Sequence, residues 1–340
     1  MGYFDAVDRI WRAPAPAAEG RAALRELVRC ATLAPSSHNT QCWRFRIGGD
    51  WISILPDVSR RCPVVDPDDH HLFVSLGCAA ENVVQAARAY GLAARVEVLS
   101  RPEACVRIGL APGRAEAGPL FAAIAQRQCS RTLYDGQPLP PDALALLESA
   151  AAGAGVRAHL LTAREKMEQV LEYIVRGNTA QLRDRAFLRE LKSWIRFSDA
   201  EAVARGDGLA GRTSGNPSLP RWLGNPMLGL LLTPGRENAK IARQVRSSAG
   251  IAVFVSDADD LPHWVETGRC YQRFALQATA LGIRNAFLNQ PVEEASLRRD
   301  FAQALGLGEA RPDLVVRFGR GPLMPRSLRR PLEAVIDAQV

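Results

Sequence analysis

Two stretches of this chain share one layout. Gly77 and Gly91 lie 14 positions apart, as do Gly268 and Gly282. Each stretch reads as a long apolar helix that stops at glycine and leads into a strand. A shift of 191 places Val83 on Phe274, Ala87 on Ala278 and Leu92 on Ile283. Either these are two unrelated buried helices with glycine stops, or the chain holds two copies of one α+β unit packed together. The 340 residues leave room for about two domains.

The remaining periodicities fit an α+β chain. Residues 1–20 read as an N-terminal arm with Pro14 and Pro16, and a helix follows from Arg21 to Leu33, stopped by Pro35. Trp43–Ile47 and Trp51–Leu55 alternate as a hairpin about Gly48, Gly49 and Asp50. Asp66–Asp69 is rich in helix-start residues, and a helix is predicted over His71–Tyr90. Strands over Val96–Leu99 and Val106–Leu110 precede a linker from Ala111 to Pro119. The division falls between 1–117 and 118–340. The second part reads as helices over Leu120–Gln126 and Pro141–Ala152, a strand over Val156–Thr162, and helices over Arg164–Arg176 and Thr179–Trp194. Phe197–Pro234 is glycine- and proline-rich and is expected to be irregular. Strand Ile251–Ser256, helix His263–Leu281, strand Arg284–Leu288, helix Glu293–Leu305 and strand Leu314–Phe318 complete the pattern.

Charge and cysteine usage narrow the function classes. Lys+Arg is 43 against 36 Asp+Glu, a net +7, and only Lys166, Lys192 and Lys240 are lysines. An arginine excess reads either as surface composition or as phosphate recognition, because guanidinium matches phosphate oxygens. Acidic residues are interspersed throughout, and the one dense basic cluster is Arg326, Arg329 and Arg330, so nucleic-acid binding is not expected. The seven cysteines form no C-x-x-C pair, which suits reduced, mostly buried thiols. Met1–Arg12 lacks the pattern of an export signal, and apolar runs such as Leu228–Leu232 are too short to span a bilayer. A cytoplasmic location without membrane association is the expectation.

Several motifs are weak. Gly206–Gly211 fits G-x-G-x-x-G but follows a polar helix pattern instead of a strand, so it reads as a loop. His70 and His71 are adjacent and would diverge by about 100° on a helix, so no metal site is expected. Three segments carry more. Ala34–Trp43 is a capped loop dense in hydroxyl and amide groups, able to donate hydrogen bonds to a polar ring edge or ribityl chain. Arg127 and Arg131 would share a face if helical, and an anion such as phosphate would relieve their repulsion. Arg317–Gly321 ends a strand in glycines that allow close backbone approach.

Together these segments resemble the nitroreductase superfamily of FMN enzymes. Ala34–Trp43 is similar to its A-P-S-x-x-N-x-Q-P-W loop, and Arg127-x-Cys129-x-Arg131 to its R-x-S-x-R phosphate segment. The Gly268–Gly282 helix, the Asn285–Pro291 loop, and Phe318-Gly319 followed by Ser327–Pro331 resemble its C-terminal pattern. The A-P-S loop here precedes the arginine segment, the reverse of ordinary members, which are intertwined homodimers. That order is similar to the fused, Acg-type branch, in which two degenerate units in one chain mimic the homodimer. The resemblance implies a nitroreductase-like α+β fold with a lid at about 197–240 and one FMN site. Pro35, Ser36, Ser37 and Asn39 would come from the first half. Arg127, Cys129, Ser130, Arg131, Leu288, Asn289, Gln290, Gly319, Arg320 and Arg329 would come from the second. Two departures stand out: Cys42 replaces a proline, and Cys129 replaces a serine whose phosphate bond would weaken or pass to Ser130.

The activity implied is hydride transfer from NAD(P)H to flavin N5, then two-electron reduction of a nitroaromatic, a quinone or a similar acceptor. No protein acid, base or metal is required. The alternative is a non-catalytic protein that stores FMN under a closed lid. The chain would be a monomer resembling a fused dimer, with further dimerisation open.

Overall fold

The computed structural model describes residues 1–14, 20–101 and 103–337, so Pro16 of the expected arm lies outside the described residues. The first half runs α1 (Tyr3–Ile10), α2 (Gly20–Thr32), β1 (Trp43–Ile47), β2 (Trp51–Pro56), α3 (His70–Ala89), β3 (Leu92–Leu99) and β4 (Cys105–Pro112). The second half opens with α4 (Pro119–Ala123), α5 (Pro141–Ala150), β5 (Val156–Leu161), α6 (Arg164–Arg183) and α7 (Arg185–Trp194). Next come β6 (Ile195–Arg196), α8 (Asp199–Arg205), β7 (Leu209–Ala210), α9 (Arg221–Leu231) and α10 (Pro234–Arg246). It closes with β8 (Gly250–Ser256), α11 (Leu261–Ala280), β9 (Arg284–Phe287), α12 (Gln290–Glu293), α13 (Ala295–Ala304) and β10 (Arg311–Gly319). Among the described residues no helix is long and apolar enough to cross a membrane.

Among the described residues the strands form two four-stranded antiparallel sheets, ordered β1-β2-β4-β3 and β5-β8-β10-β9, and a short parallel pair, β6 with β7. The two orders are the same once β1, β2, β3 and β4 are matched to β5, β8, β9 and β10. In each sheet the second strand is followed by a 20-residue helix, α3 or α11. These two helices coincide residue for residue under the shift of 191.

The helices pack on each other, and glycine makes the approach possible. A Cβ on Gly77 would collide with the Val265 carbonyl, and one on Gly268 with the Val74 carbonyl. The shift maps Val74 onto Val265 and Gly77 onto Gly268, so the contact is reciprocal, as a two-fold interface requires. The Cys78 thiol donates to the Gly268 carbonyl at 3.2 Å, and Gln272 donates to Asn82 at 2.6 Å. Glu81, buried at this seam, pairs with Arg269 and Arg273 at 3.2 and 3.0 Å.

The sheets differ in how they are covered. β1 turns Trp43 and Phe45 inward and keeps Arg46 exposed, the period-two pattern of a sheet with one solvated face. β8 and β10 are buried along their whole length. On one face Ala252, Phe254, Leu314 and Val316 join the core around α3 and α11. On the other, Ile251, Val253, Val255 and Val315 pack on Met167, Val170 and Ile174 of α6 and Val245 of α10.

Several boundaries differ from the sequence reading. The arm contains α1, held by the Tyr3 hydroxyl donating to the Arg326 carbonyl at 2.8 Å. Pro112 still belongs to β4, and the segment after it is tied to the end of α3 by Gly113 to Gly91 and Glu116 to Arg88. α6 runs to Arg183, and the break comes at Asp184, whose carboxylate caps α7. Residues 197–234 are not irregular: they hold α8 and α9, with Pro226 inside α9. Gly206 ends α8 in a left-handed conformation, which accounts for the glycine motif without a nucleotide. The second helix near Glu293 starts later, at Ala295, after the short α12.

The seam sets a test. Gly77→Ala and Gly268→Ala should each lower stability by ~1–3 kcal/mol in urea unfolding, the usual cost of overpacking. Gly49→Ala, in a hairpin turn with open space around it, should change little.

Candidate functional site

The Ala34–Trp43 loop is held in an unusual backbone. His38, Asn39 and Gln41 have φ of 49°, 54° and 54°. Left-handed geometry at non-glycine residues is uncommon, and three cases within four residues need outside support. The support comes from two distant segments. Asn39 donates to the Gly208 and Leu328 carbonyls at 3.1 and 3.2 Å and accepts from Arg329 at 3.0 Å. Gln41 donates to the Gly206 carbonyl at 2.9 Å and accepts the Arg330 N–H at 2.8 Å. Ser36 Oγ accepts the Gln41 N–H at 2.9 Å.

Beside this loop is a small cavity drawn from both halves of the chain. Trp11, Ser36, His38 and Asn39 face it from the first half, and Arg127, Cys129, Arg131, Thr213, Arg326 and Arg329 from the second. Among the described residues lining it there are four guanidiniums and no carboxylate.

The guanidiniums are not equivalent. Arg329 is buried and spends its donors on the carbonyls of Thr32, Leu33, Ala34 and Leu328 and on Asn39 and Ser327. Burial, and then Arg127 nearby, lower its pKa to about 9. Arg127 is buried too, yet its Nε has no partner and its Nη2 reaches one carbonyl, that of Leu33 at 3.1 Å. Arg131 makes one long guanidinium contact, 3.4 Å to the Thr213 carbonyl. The Arg326 guanidinium lies 5.5 Å over Trp11, and burial followed by Arg127 lowers its pKa. A buried cation without a counter-ion is costly. The cavity is therefore built for an anion with several oxygens, the geometry guanidinium forks recognise.

The segment from Arg127 to Arg131 is extended, not helical, and Cys129 bridges to Asn285. Arg127, Gln128, Cys129 and Arg131 all line the cavity. Ser130 does not: it is fully buried and its Oγ has no partner. A transfer of the Cys129 role to Ser130 finds no geometric support.

A larger cavity of about 350 Å³ adjoins the first, sharing Pro35, Ser36, His38, Arg131, Leu209 and Phe287. That size falls within the range of small-molecule sites. Ser37, His71, Asn289, Gln290 and Glu293 face it, as do Leu232, Glu237 and Lys240 beside or on α10. Burial raises the Glu293 pKa, and its carboxylate accepts from Gln181 at 2.8 Å.

Next to it, the two histidines converge instead of diverging. Their ring centroids are 4.6 Å apart, and both point at Asp313: His70 Nε2 is 3.0 Å from its carboxylate and His71 Nε2 is 3.3 Å from its carbonyl. Asp66 accepts the N–H groups of His71 and Leu72 and so caps α3, the role expected somewhere in Asp66–Asp69. Asp66, His70 and His71 could offer ligand atoms within 4.8 Å of one another, which the reading of diverging rings did not anticipate.

Of the residues named from sequence, Pro35, Ser36, Asn39, Arg127, Cys129, Arg131 and Arg329 meet at the smaller cavity. Ser37, Asn289 and Gln290 face the larger one. Leu288 is in the core on the far face of the second sheet, and Arg320 is exposed. Gly319 and Gly321 are spaces for the Tyr134 ring, whose atoms a Cβ would approach to 3.0 and 2.8 Å. Trp11, His38, Thr213 and Arg326 were missed. Arg326 had a signal in the one dense basic cluster, His38 in its place within the Ala34–Trp43 loop, and Thr213 in the 197–240 segment.

His38 gives a pH signature. Burial, and then Arg131, lower its pKa from 6.5 to about 4. Between those values the unfolded chain binds a proton that the folded one does not. His38's contribution to stability should therefore fall as pH drops from 6.5 towards 4. In denaturant titrations His38→Asn, which tolerates positive φ, should make stability less steep in pH over that window than in the unaltered protein; an identical slope in the two would remove His38 as a contributor.

No protein-family model matches the chain. Two curated proteins of Mycobacterium tuberculosis, from strains CDC 1551 / Oshkosh and H37Rv and each named “Putative NAD(P)H nitroreductase”, are 29% identical over 331 residues, covering 92% of this chain and 91% of theirs. Overlaps with solved structures include a nitroreductase with bound FMN from Desulfitobacterium hafniense DCB-2, at 16% identity and TM-score 0.42 over 66% of this chain and 99% of that one. Another is the NADPH:FMN oxidoreductase of Vibrio harveyi complexed with NAD+, at 13% identity and TM-score 0.40 over 66% and 78%. Over nearly its full length this chain is thus similar in sequence to two proteins that carry an NAD(P)H nitroreductase name.

Proposed function

We propose that the chain is an FMN-binding oxidoreductase that takes reducing equivalents from NAD(P)H and passes two electrons to a nitroaromatic, a quinone or a similar small acceptor. The observation that carries this reading is the cavity that, among the described residues, has four guanidiniums, no lining carboxylate and an orphaned Arg127 Nε. That chemistry fits a phosphate monoester, and the curated relatives carry nitroreductase names.

Arg127, Arg131 and Arg326 would hold the phosphate. Asn39 and Arg329, whose hydrogen bonds are already committed, hold the loop that shapes the site. The adjoining cavity, with Pro35, Ser36 and Ser37 along its wall, would take the ring system and the acceptor. When bound, the flavin supplies hydride acceptance and two-electron delivery. The chain's part is to orient the reactants and keep water out. Of the 197–240 segment, Leu209 lines both cavities, Thr213 the smaller and Leu232 the larger, which supports a lid role.

The equal strand orders and the site drawn from both halves support the fused, Acg-type reading, with 1–117 and 118–340 as the two units. A storage role for FMN has one observation in its favour. The base of the lid is anchored: Gly206 and Gly208 bond to Gln41 and Asn39, and Asp207 pairs with Arg60 and Arg196.

The purified protein should be yellow and release FMN. Arg131→Ala should weaken FMN binding by ~1.5–3 kcal/mol, as loss of a charge-assisted hydrogen bond does; unchanged affinity would take Arg131 out of the site. Anaerobic NADH or NADPH should bleach the flavin band. A yellow protein that neither nucleotide bleaches would favour storage, and a protein that takes up no FMN would end both readings.

A further inference from the structure

All seven cysteines are described, and six are buried; Cys129 alone is part-exposed. Burial pushes the thiols of Cys30, Cys42 and Cys270 up to about 12 and raises those of Cys62, Cys78 and Cys105. Cys129 stands apart by position as well as exposure. It lines the guanidinium cavity, with its Sγ 3.8 Å from Arg127 Nη1 and 4.0 Å from the Tyr271 hydroxyl. Arg127 is an independent sign that the cavity wants an anion, since it is 2% exposed and its Nε is unpartnered. Reactive cysteines occupy electropositive, partly exposed surroundings of this kind.

We propose that Cys129 is a modification site for soft electrophiles and hydroperoxides, and that its modified forms exclude the phosphate-bearing ligand from the cavity. With a maleimide, a bond forms between Sγ and an alkene carbon, and the thiol proton ends on the neighbouring carbon. With hydrogen peroxide, the O–O bond breaks, sulfur is oxidised by two electrons to the sulfenic acid, and one water leaves. A second peroxide takes the sulfenic to the sulfinic acid with release of a second water. The sulfinate is anionic, and Arg127, Arg131, Arg326 and Arg329 line the space its oxygens would enter. A phosphate in that space would compete with it for the same donors. The link to FMN rests on the function proposed above; the reactivity of Cys129 and its protection by an anion do not.

The test is peptide mapping of the native protein after brief N-ethylmaleimide or hydrogen peroxide treatment. Cys129 should be the one thiol modified. FMN at ten times its Kd should slow the modification about tenfold, by simple occupancy, and inorganic phosphate should slow it at higher concentration. Modified protein should lose FMN binding in a fluorescence titration. Cys129→Ser should resist both reagents. Modification mainly at another cysteine, or a Cys129 rate indifferent to both FMN and phosphate, would overturn the proposal. Protection by phosphate in a protein that binds no FMN would uphold the modification site and refute the flavin reading.

Discussion

The close crossing of α3 on α11 is the contact on which the rest depends. Two carbonyls, those of Val74 and Val265, lie where a side chain would otherwise be, and only glycine at 268 and 77 leaves room for them. The approach brings the two sheets' core-facing residues into one cluster, from Phe45 and Ile54 on one side to Phe254 and Phe318 on the other. It also sets the N-terminal end of α3 against β10, where His70 and His71 meet Asp313. A seam between two units usually carries polar atoms. This one pairs most of them internally, through Asn82 with Gln272 and Glu81 with Arg269 and Arg273, and leaves Gln272 Oε1 without a partner.

The second constraint is electrostatic. Arg329 is used as a structural hub whose fork is filled by backbone carbonyls. Carbonyl dipoles offset part of the cost of its burial, but they supply no negative charge for Arg127, Arg131 and Arg326 around it. The protein thus carries a concentration of positive charge that its own acidic residues leave uncompensated at the cavity. Most of the other arginines do pair, as Arg12 with Glu26 and Arg246 with Glu168. The arginine-rich composition is mostly surface chemistry, with a small functional residue of it turned inward.

Local patterns were legible. The hairpin at Gly48–Asp50, the glycine-terminated helices and the strands flanking them are set by short-range periodicity, and they appear close to where the sequence places them. The shift of 191 was legible because glycine spacing is a packing constraint. The 197–234 segment was not: its glycines mark three left-handed corners, at Gly206, Gly208 and Gly215, between real helices. In the site, residue types that bind anions were found, but their division of labour was not. Nothing local distinguishes Arg329, filled by carbonyls, from Arg127, left half-empty. Trp11 depends on a contact made across 316 positions, to the Ser327 carbonyl, which no window of sequence reports.

Those long reaches have a kinetic meaning. Asn39 is joined to Leu328 across 289 positions, and Arg329 to Thr32 across 297. Contacts of such separation close large loops of chain and form after local structure is in place. The strained His38–Gln41 backbone has no support until the 206–208 corner and the 328–330 tail arrive. The anion cavity accordingly exists only when both the 206–208 corner and the 328–330 tail are in place, so a filled cavity reports that these distant segments have met.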